Sequence, residues 1–189
     1  MINILQMTLY PDKAMHDISK KGKNINGIIV IFFSSVSATL AFFLIGNAVG
    51  QSARMFLMPV LLLKFVGAIF FCYLISVLYD FFAGLYGYVR IEKKIFGLVG
   101  CSMLPFVFCA PVAMITKMFF LKTASVAFIL AAMFLLYWSL NLQYKAITYY
   151  YGANKANAVS ILFMPWMVFV AFTGAVFIIV VFGVISVLL

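Results

Sequence analysis

Apolar residues in this chain come in five long blocks, separated by short polar connections. The blocks run over residues 27–50, 59–84, 95–115, 124–142 and 158–189. Each approaches or exceeds the ~20 residues a helix needs to cross ~30 Å of hydrocarbon. None alternates apolar and polar positions with the period of two that a membrane barrel requires. The pattern therefore predicts an all-α, polytopic membrane protein with five transmembrane helices. Residues 27–189 form the bundle, behind a cytoplasmic N-terminal segment of residues 1–26.

That segment carries its own pattern. In LYPDKAMHDISKKG, residues 9–22, Ala14, Met15 and Ile18 fall on one helical face and Lys13, His16, Asp17 and Lys20 on the rest. Pro11 suits a first helical position, Asp12 the positive end of the helix dipole, and Lys20 and Lys21 the negative end. Gly22 is placed to terminate the helix. A short amphipathic helix on the membrane surface is expected.

The last block is too long for one perpendicular crossing: its 32 residues would reach ~48 Å as a helix. Pro165 suggests that AVSILFMP lies at the interface or forms a kinked first turn, with the crossing proper running from Trp166. Steep tilt is the alternative. Pro105 and Pro111 are expected to break the third crossing where neighbouring helices cover it.

Composition and charge sharpen this picture. Hydrophobic residues make up 67% of the chain, charged residues 9%, and the mean hydropathy is +1.21. No water-soluble fold covers that much apolar surface, so the bilayer is the first partner. The net charge of +9 comes from 13 Lys+Arg against 4 Asp+Glu. Those charges are scattered between spans, which suits topology signals and anionic headgroups and excludes a nucleic-acid interface.

Nine of the basic residues (Lys13, Lys20, Lys21, Lys23, Arg90, Lys93, Lys94, Lys145, Lys155) fall on one side of the five spans, and Arg54, Lys64, Lys117 and Lys122 on the other. The positive-inside rule makes the nine-residue face cytoplasmic, placing the N-terminus inside and the C-terminus outside a cell membrane. The first 21 residues lack the basic start and A-x-A site of a signal peptide.

Residues with chemical potential are few. Cys72, Cys101 and Cys109 lie in apolar runs without CxxC spacing and are expected as buried hydrophobes. His16, the only histidine, has no metal-ligand spacing and is expected in solvent. Asp80 lies at the cytoplasmic end of the second span, where Arg90, Lys93 or a helix N-terminus would satisfy it. Lys64, five residues into that span, is expected to extend its ammonium toward the headgroups.

Asn141 and Gln143 mark where the fourth helix leaves hydrocarbon, with Trp138 and Tyr149–Tyr151 at headgroup depth. Gly46–Gly50 and the Gly97, Gly100, Ser102 face are small-residue surfaces for close helix packing within the bundle, and they leave a homo-oligomer open. Paired acids, a phosphate-cradling loop and a metal cluster are all missing from the sequence, so no cofactor and no enzymatic activity are expected.

Across the whole chain, LYPDKAMHDI, LYDFFAG, KKIFGLVGCSMLPFV and LYWSLNLQYKAITYYYGANKANAVSILFMP follow one another in an order that resembles the Yip-one family (Ypt/Rab-interacting-protein family), in its prokaryotic branch. The most specific parts are Gly100 to Pro105, and Trp138 through Gly152, Lys155, Ala156 and Pro165. The resemblance implies five transmembrane helices and a cytosolic N-terminus. Eukaryotic members act with Rab GTPases, but their long cytosolic N-terminal region does not precede the first span here, so no Rab-binding role is expected. Bacterial members are linked in some cases to ABC-type exporters and envelope stress.

The expected function is a non-enzymatic membrane adaptor or accessory protein that associates with other membrane proteins. Its candidate interaction or structural residues are Asp80, Arg90, Gly100, Pro105, Trp138, Asn141, Gln143, Tyr149, Gly152, Lys155 and Pro165. The alternative is a small transporter or channel using Asp80, Lys64, Asn47 and Asn141 as polar sites, with proline-broken helices building the path. Abundant Ile, Phe, Lys and Asn suggest an AT-rich bacterial genome.

Overall fold

The structure is a computed structural model that describes residues 11–21, 24–46, 51–88, 95–120 and 122–188. Its elements are α1 (Pro11–Lys21), α2 (Asn24–Ile45), α3 (Gln51–Leu85), α4 (Ile95–Ser102), a 3-10 turn (Leu104–Phe108), α5 (Cys109–Phe119), α6 (Ala124–Tyr151) and α7 (Lys155–Leu188). Five units are long and apolar enough to cross a membrane: Asn24–Ile45, Phe56–Leu85, Ile95–Phe119, Ala124–Tyr151 and Lys155–Ala175. The protein is an all-α membrane protein, and the described residues contain no strand. Arg90, Lys93, Lys94 and Asn47, with the Gly46–Gly50 motif beyond Gly46, lie outside the described residues.

The third crossing, α4 to α5, is the axis of the bundle, and α2 packs along its whole length. The two backbones touch through glycine. A Cβ on Gly27 would lie 2.6 Å from the Gly97 carbonyl oxygen, and one on Gly100 would lie 2.8 Å from the Gly27 Cα. The small-residue face of α4 therefore serves packing within the chain.

This crossing is broken where its prolines require it. Pro111 has no N–H to bond the Val107 carbonyl one turn back. Ser37 of α2 repairs the defect, donating to the Val107 carbonyl at 2.7 Å and accepting from the Ala110 N–H at 2.8 Å. At Pro105 the chain tightens into the 3-10 turn, so the Phe106 N–H bonds to Met103. The Ser102 carbonyl is left over, and Ser139 of α6 donates to it at 2.9 Å.

Replacement of Ser37 by Ala strands a carbonyl and an N–H together. It is expected to cost about 1–3 kcal/mol, read as a lower midpoint in thermal unfolding. The buried Cys72, Cys101 and Cys109, which become reactive to a fluorogenic maleimide only on unfolding, report the transition.

The fold bears on four sequence expectations. First, α1 does not bury its apolar face in lipid: Ala14, Met15 and Ile18 are buried against α6 and α4. Covering protein surface removes those side chains from water more completely than a headgroup layer would.

Second, α6 does not stop at Asn141 or Gln143; it continues to Tyr151, about 12 Å beyond Gln143. Neighbouring helices supply the apolar and polar contacts its last turns need. Third, Pro165 sits inside one continuous α7, and the part ahead of it is the packed part, with Ala158, Ile161 and Leu162 in the core. Fourth, the Trp138 ring stacks on Phe108, centroids 6.0 Å apart, between the two apolar clusters of the bundle.

At the far end, Lys117 donates to the Leu44 carbonyl at 2.8 Å, satisfying the last turn of α2.

Candidate functional site at the basic end of the bundle

The end that holds α1 and the α6–α7 connection carries hydrogen bonds between side chains far apart in sequence. Two left-handed glycines shape it. After α3, Gly87 (φ 79°) lets the Tyr88 N–H return to the Ala83 carbonyl at 3.0 Å, closing the helix and turning Tyr88 inward. After α6, Gly152 (φ 63°) reverses the chain into α7. Asn154 then caps α7, its side-chain oxygen accepting the Asn157 N–H at 2.8 Å.

These turns bring three inter-helix hydrogen bonds into register. Tyr151 donates to the Asp80 carboxylate at 2.6 Å, Tyr79 donates to the Gln143 carbonyl at 2.8 Å, and the Asn157 amide donates to the Tyr88 hydroxyl at 2.9 Å. Helix α3 is thereby bonded to both α6 and α7. Tyr150 and Tyr151 meet edge to face at 4.7 Å, and His16 of α1 meets Tyr149 the same way at 5.8 Å.

The tyrosine cluster is thus mostly interior. Tyr150 and Tyr151 are buried in protein, and Tyr149 alone of the three is exposed. His16 is half-exposed and carries the ring contact. Asp80 has the Tyr151 phenol among its partners; Arg90 and Lys93, expected beside it, lie outside the described residues.

The remaining candidates disperse. Gly100 lies at the α2 contact, Pro105 in the broken crossing and Pro165 buried within α7, while Asn141 is exposed on α6. Gly152, Asn154 and Lys155 are exposed at the rim, where they present a turn and one cation to the aqueous side. Tyr79, Tyr88, Asn157, Ser37 and Ser139 were not singled out from sequence. The only signal was for Tyr79, adjacent to Asp80, because each of the others depends on a partner from a distant helix.

Chemically this arrangement is a latch. Tyr151→Phe is expected to lower stability by about 1–2 kcal/mol, since a hydrogen bond to a carboxylate exceeds a neutral one. Faster limited proteolysis of the Gly152–Asn154 turn, at unchanged membrane insertion, is the readout.

Gln143 also lines a cavity of about 410 Å³ bounded by all five crossings. Its walls are mainly apolar, with Ser34, Ser35, Lys64, Ser139 and Trp166 as further polar positions. Lys64 turns its ammonium over the Phe42 ring, 4.8 Å from the centroid.

The sequence pattern that defines the Yip1 domain matches residues 5–178, nearly the whole chain. The chain belongs to the Yip1 domain family. Within this Yip1 domain the match takes in both the α2–α4 glycine contact and the latch. No curated protein and no solved structure matches the chain.

Proposed function

We propose that this Yip1-family protein, of the prokaryotic branch, is a non-enzymatic adaptor that packs beside another integral membrane protein, an ABC-type exporter by analogy with bacterial members. The observation that carries this reading is the second half of α7. Every described side chain from Met167 to Ile178 is exposed, so this stretch of the helix turns its apolar surface outward from the described bundle. Within it, Ala171, Thr173, Gly174 and Ala175 are small, and a Cβ on Gly174 would meet nothing within 4 Å. Small residues let a second helix approach closely in lipid, where van der Waals packing replaces the hydrophobic drive.

Purification in mild detergent from the native host, with identification of retained membrane proteins, tests the reading. A retained partner that is lost on Gly174→Leu supports it. Recovery as a lone species from a host with candidate exporters counts against it. The transporter reading gains nothing from the geometry of its proposed polar sites: Asp80 is in the latch, Asn141 is exposed, and only Lys64 lines the cavity.

The same proposal places the latch and α1 in the cytoplasm and the far end of α7 outside. Single cysteines at Asn154 and Thr123, in a chain without native cysteines, check it with an impermeant maleimide on intact cells. Labelling at Thr123 and not at Asn154 is expected. The converse inverts the topology.

A further inference from the structure

The cavity between the five crossings has a composition that selects its guest. Among its lining residues there is one full charge, Lys64, and no carboxylate. The Ser34, Ser35 and Ser139 hydroxyls in the lining can donate or accept, so Lys64 alone sets the charge of the site. The Trp166 indole N–H is buried with no acceptor among the described residues, and Gln143, its carbonyl already engaged by Tyr79, keeps its amide N–H groups. The unneutralised Lys64 therefore favours a guest with a negative charge, and the mainly apolar walls favour one with enough apolar bulk to fill the rest.

The route in is lateral. On the α3 wall Gly67 and Phe71 are exposed at the bundle surface, and a Cβ on Gly67 would meet nothing within 4 Å. The wall is therefore open at that glycine, facing the hydrocarbon rather than water. A water-soluble anion would have to cross apolar surface to reach it, whereas a lipid already lies beside it. The volume of about 410 Å³ falls within the range of ordinary ligand sites.

We propose that this cavity is a binding site for one anionic phospholipid, which enters past Gly67 with its phosphate at Lys64 and an acyl chain along Ala38, Gly67 and Phe71. Lys64 supplies the charge preference: the Phe42 face holds the ammonium but does not neutralise it, and in a low-dielectric wall an anion is the stronger partner. Trp166 lies beside Phe71, ring centroids 6.0 Å apart, so it reports on a chain that occupies the site.

The test uses the full chain in detergent, with Trp138→Phe so that Trp166 is the single tryptophan, titrated with phosphatidylglycerol brominated on its acyl chains. Saturable quenching of Trp166 is expected, weaker with brominated phosphatidylcholine. Gly67→Leu and Ala38→Leu each fill the cavity from an opposite wall. Either variant, if it unfolds thermally like the parent, should lose the saturable quenching. Lys64→Gln should keep binding but lose the preference for the anionic lipid.

Quenching that persists in a folded cavity-filling variant would mean contact with surrounding lipid only, and would overturn the proposal. Equal response to the two lipids in the unsubstituted cavity would overturn the assignment of Lys64. If both filling variants fail to fold, the comparison of the two brominated lipids with and without Lys64→Gln still decides.

Discussion

Gly27→Ala is expected to be among the most destabilising single substitutions in the protein, although it adds one methyl group. The new Cβ would lie 2.6 Å from the Gly97 carbonyl oxygen and 2.9 Å from the Gly97 Cα. Both are backbone atoms of a packed helix, so no rotamer change relieves the clash and α2 must move away from α4. Overpacking of this kind costs about 1–3 kcal/mol, occasionally more.

The loss spreads, because α2 also carries Ser37, whose two hydrogen bonds repair the break at Pro111. Separation of α2 from α4 by even part of an ångström weakens both. The measurement is the thermal midpoint reported by Cys72 and Cys101, which are fully buried. Gly100→Ala should behave alike, its Cβ lying 2.8 Å from the Gly27 Cα, and Gly84→Ala, with open space around it, should not.

Gln143→Leu is the second large effect, and a double-mutant cycle separates its causes. Tyr79 is fully buried, and Gln143 nearly so at 5% exposure. With the amide gone, the fully buried Tyr79 hydroxyl faces leucine, at a cost of about 1–3 kcal/mol. Tyr79→Phe alone should cost a similar amount, by leaving the Gln143 carbonyl unbonded. The pair Tyr79→Phe with Gln143→Leu should cost less than the two summed, since removing both partners leaves no orphan. Strict additivity would show that the bond contributes nothing and that both residues act through packing alone.

The architecture was legible because in a bilayer one variable dominates. A stretch of some twenty apolar residues must form a helix to satisfy its backbone, and five such stretches were visible without any knowledge of their neighbours. Gly97 and Gly100 were read correctly as a packing face for the same reason. The polar residues were harder. Gln143 looked like the exit of a helix from hydrocarbon, and Tyr150 and Tyr151 looked like interfacial anchors, because amides and phenols favour that depth when nothing else competes.

In this fold something does compete. Tyr79 reaches Gln143 across 64 positions of sequence, and Tyr151 reaches Asp80 across 71. Each of these groups is thereby satisfied by a partner inside the bundle, whatever its own preference. Local sequence carries no trace of such a pairing, since each partner is specified on a different helix.

Number of crossings, helix class, the proline break and the unequal basic charge on the two faces were therefore determined by the sequence itself, through local hydrophobicity and the chemistry of single residues. Tertiary structure alone decided the rest. It placed Ser37 and Ser139 on the carbonyls that the break leaves over, and it closed α3 onto α6 and α7 through Asp80, Tyr79 and Tyr88. It also buried the segment before Pro165, left the described side chains from Met167 to Ile178 exposed, and opened a cavity beside Gly67. Each of these depends on which helix faces which, and facing is a property of several segments at once.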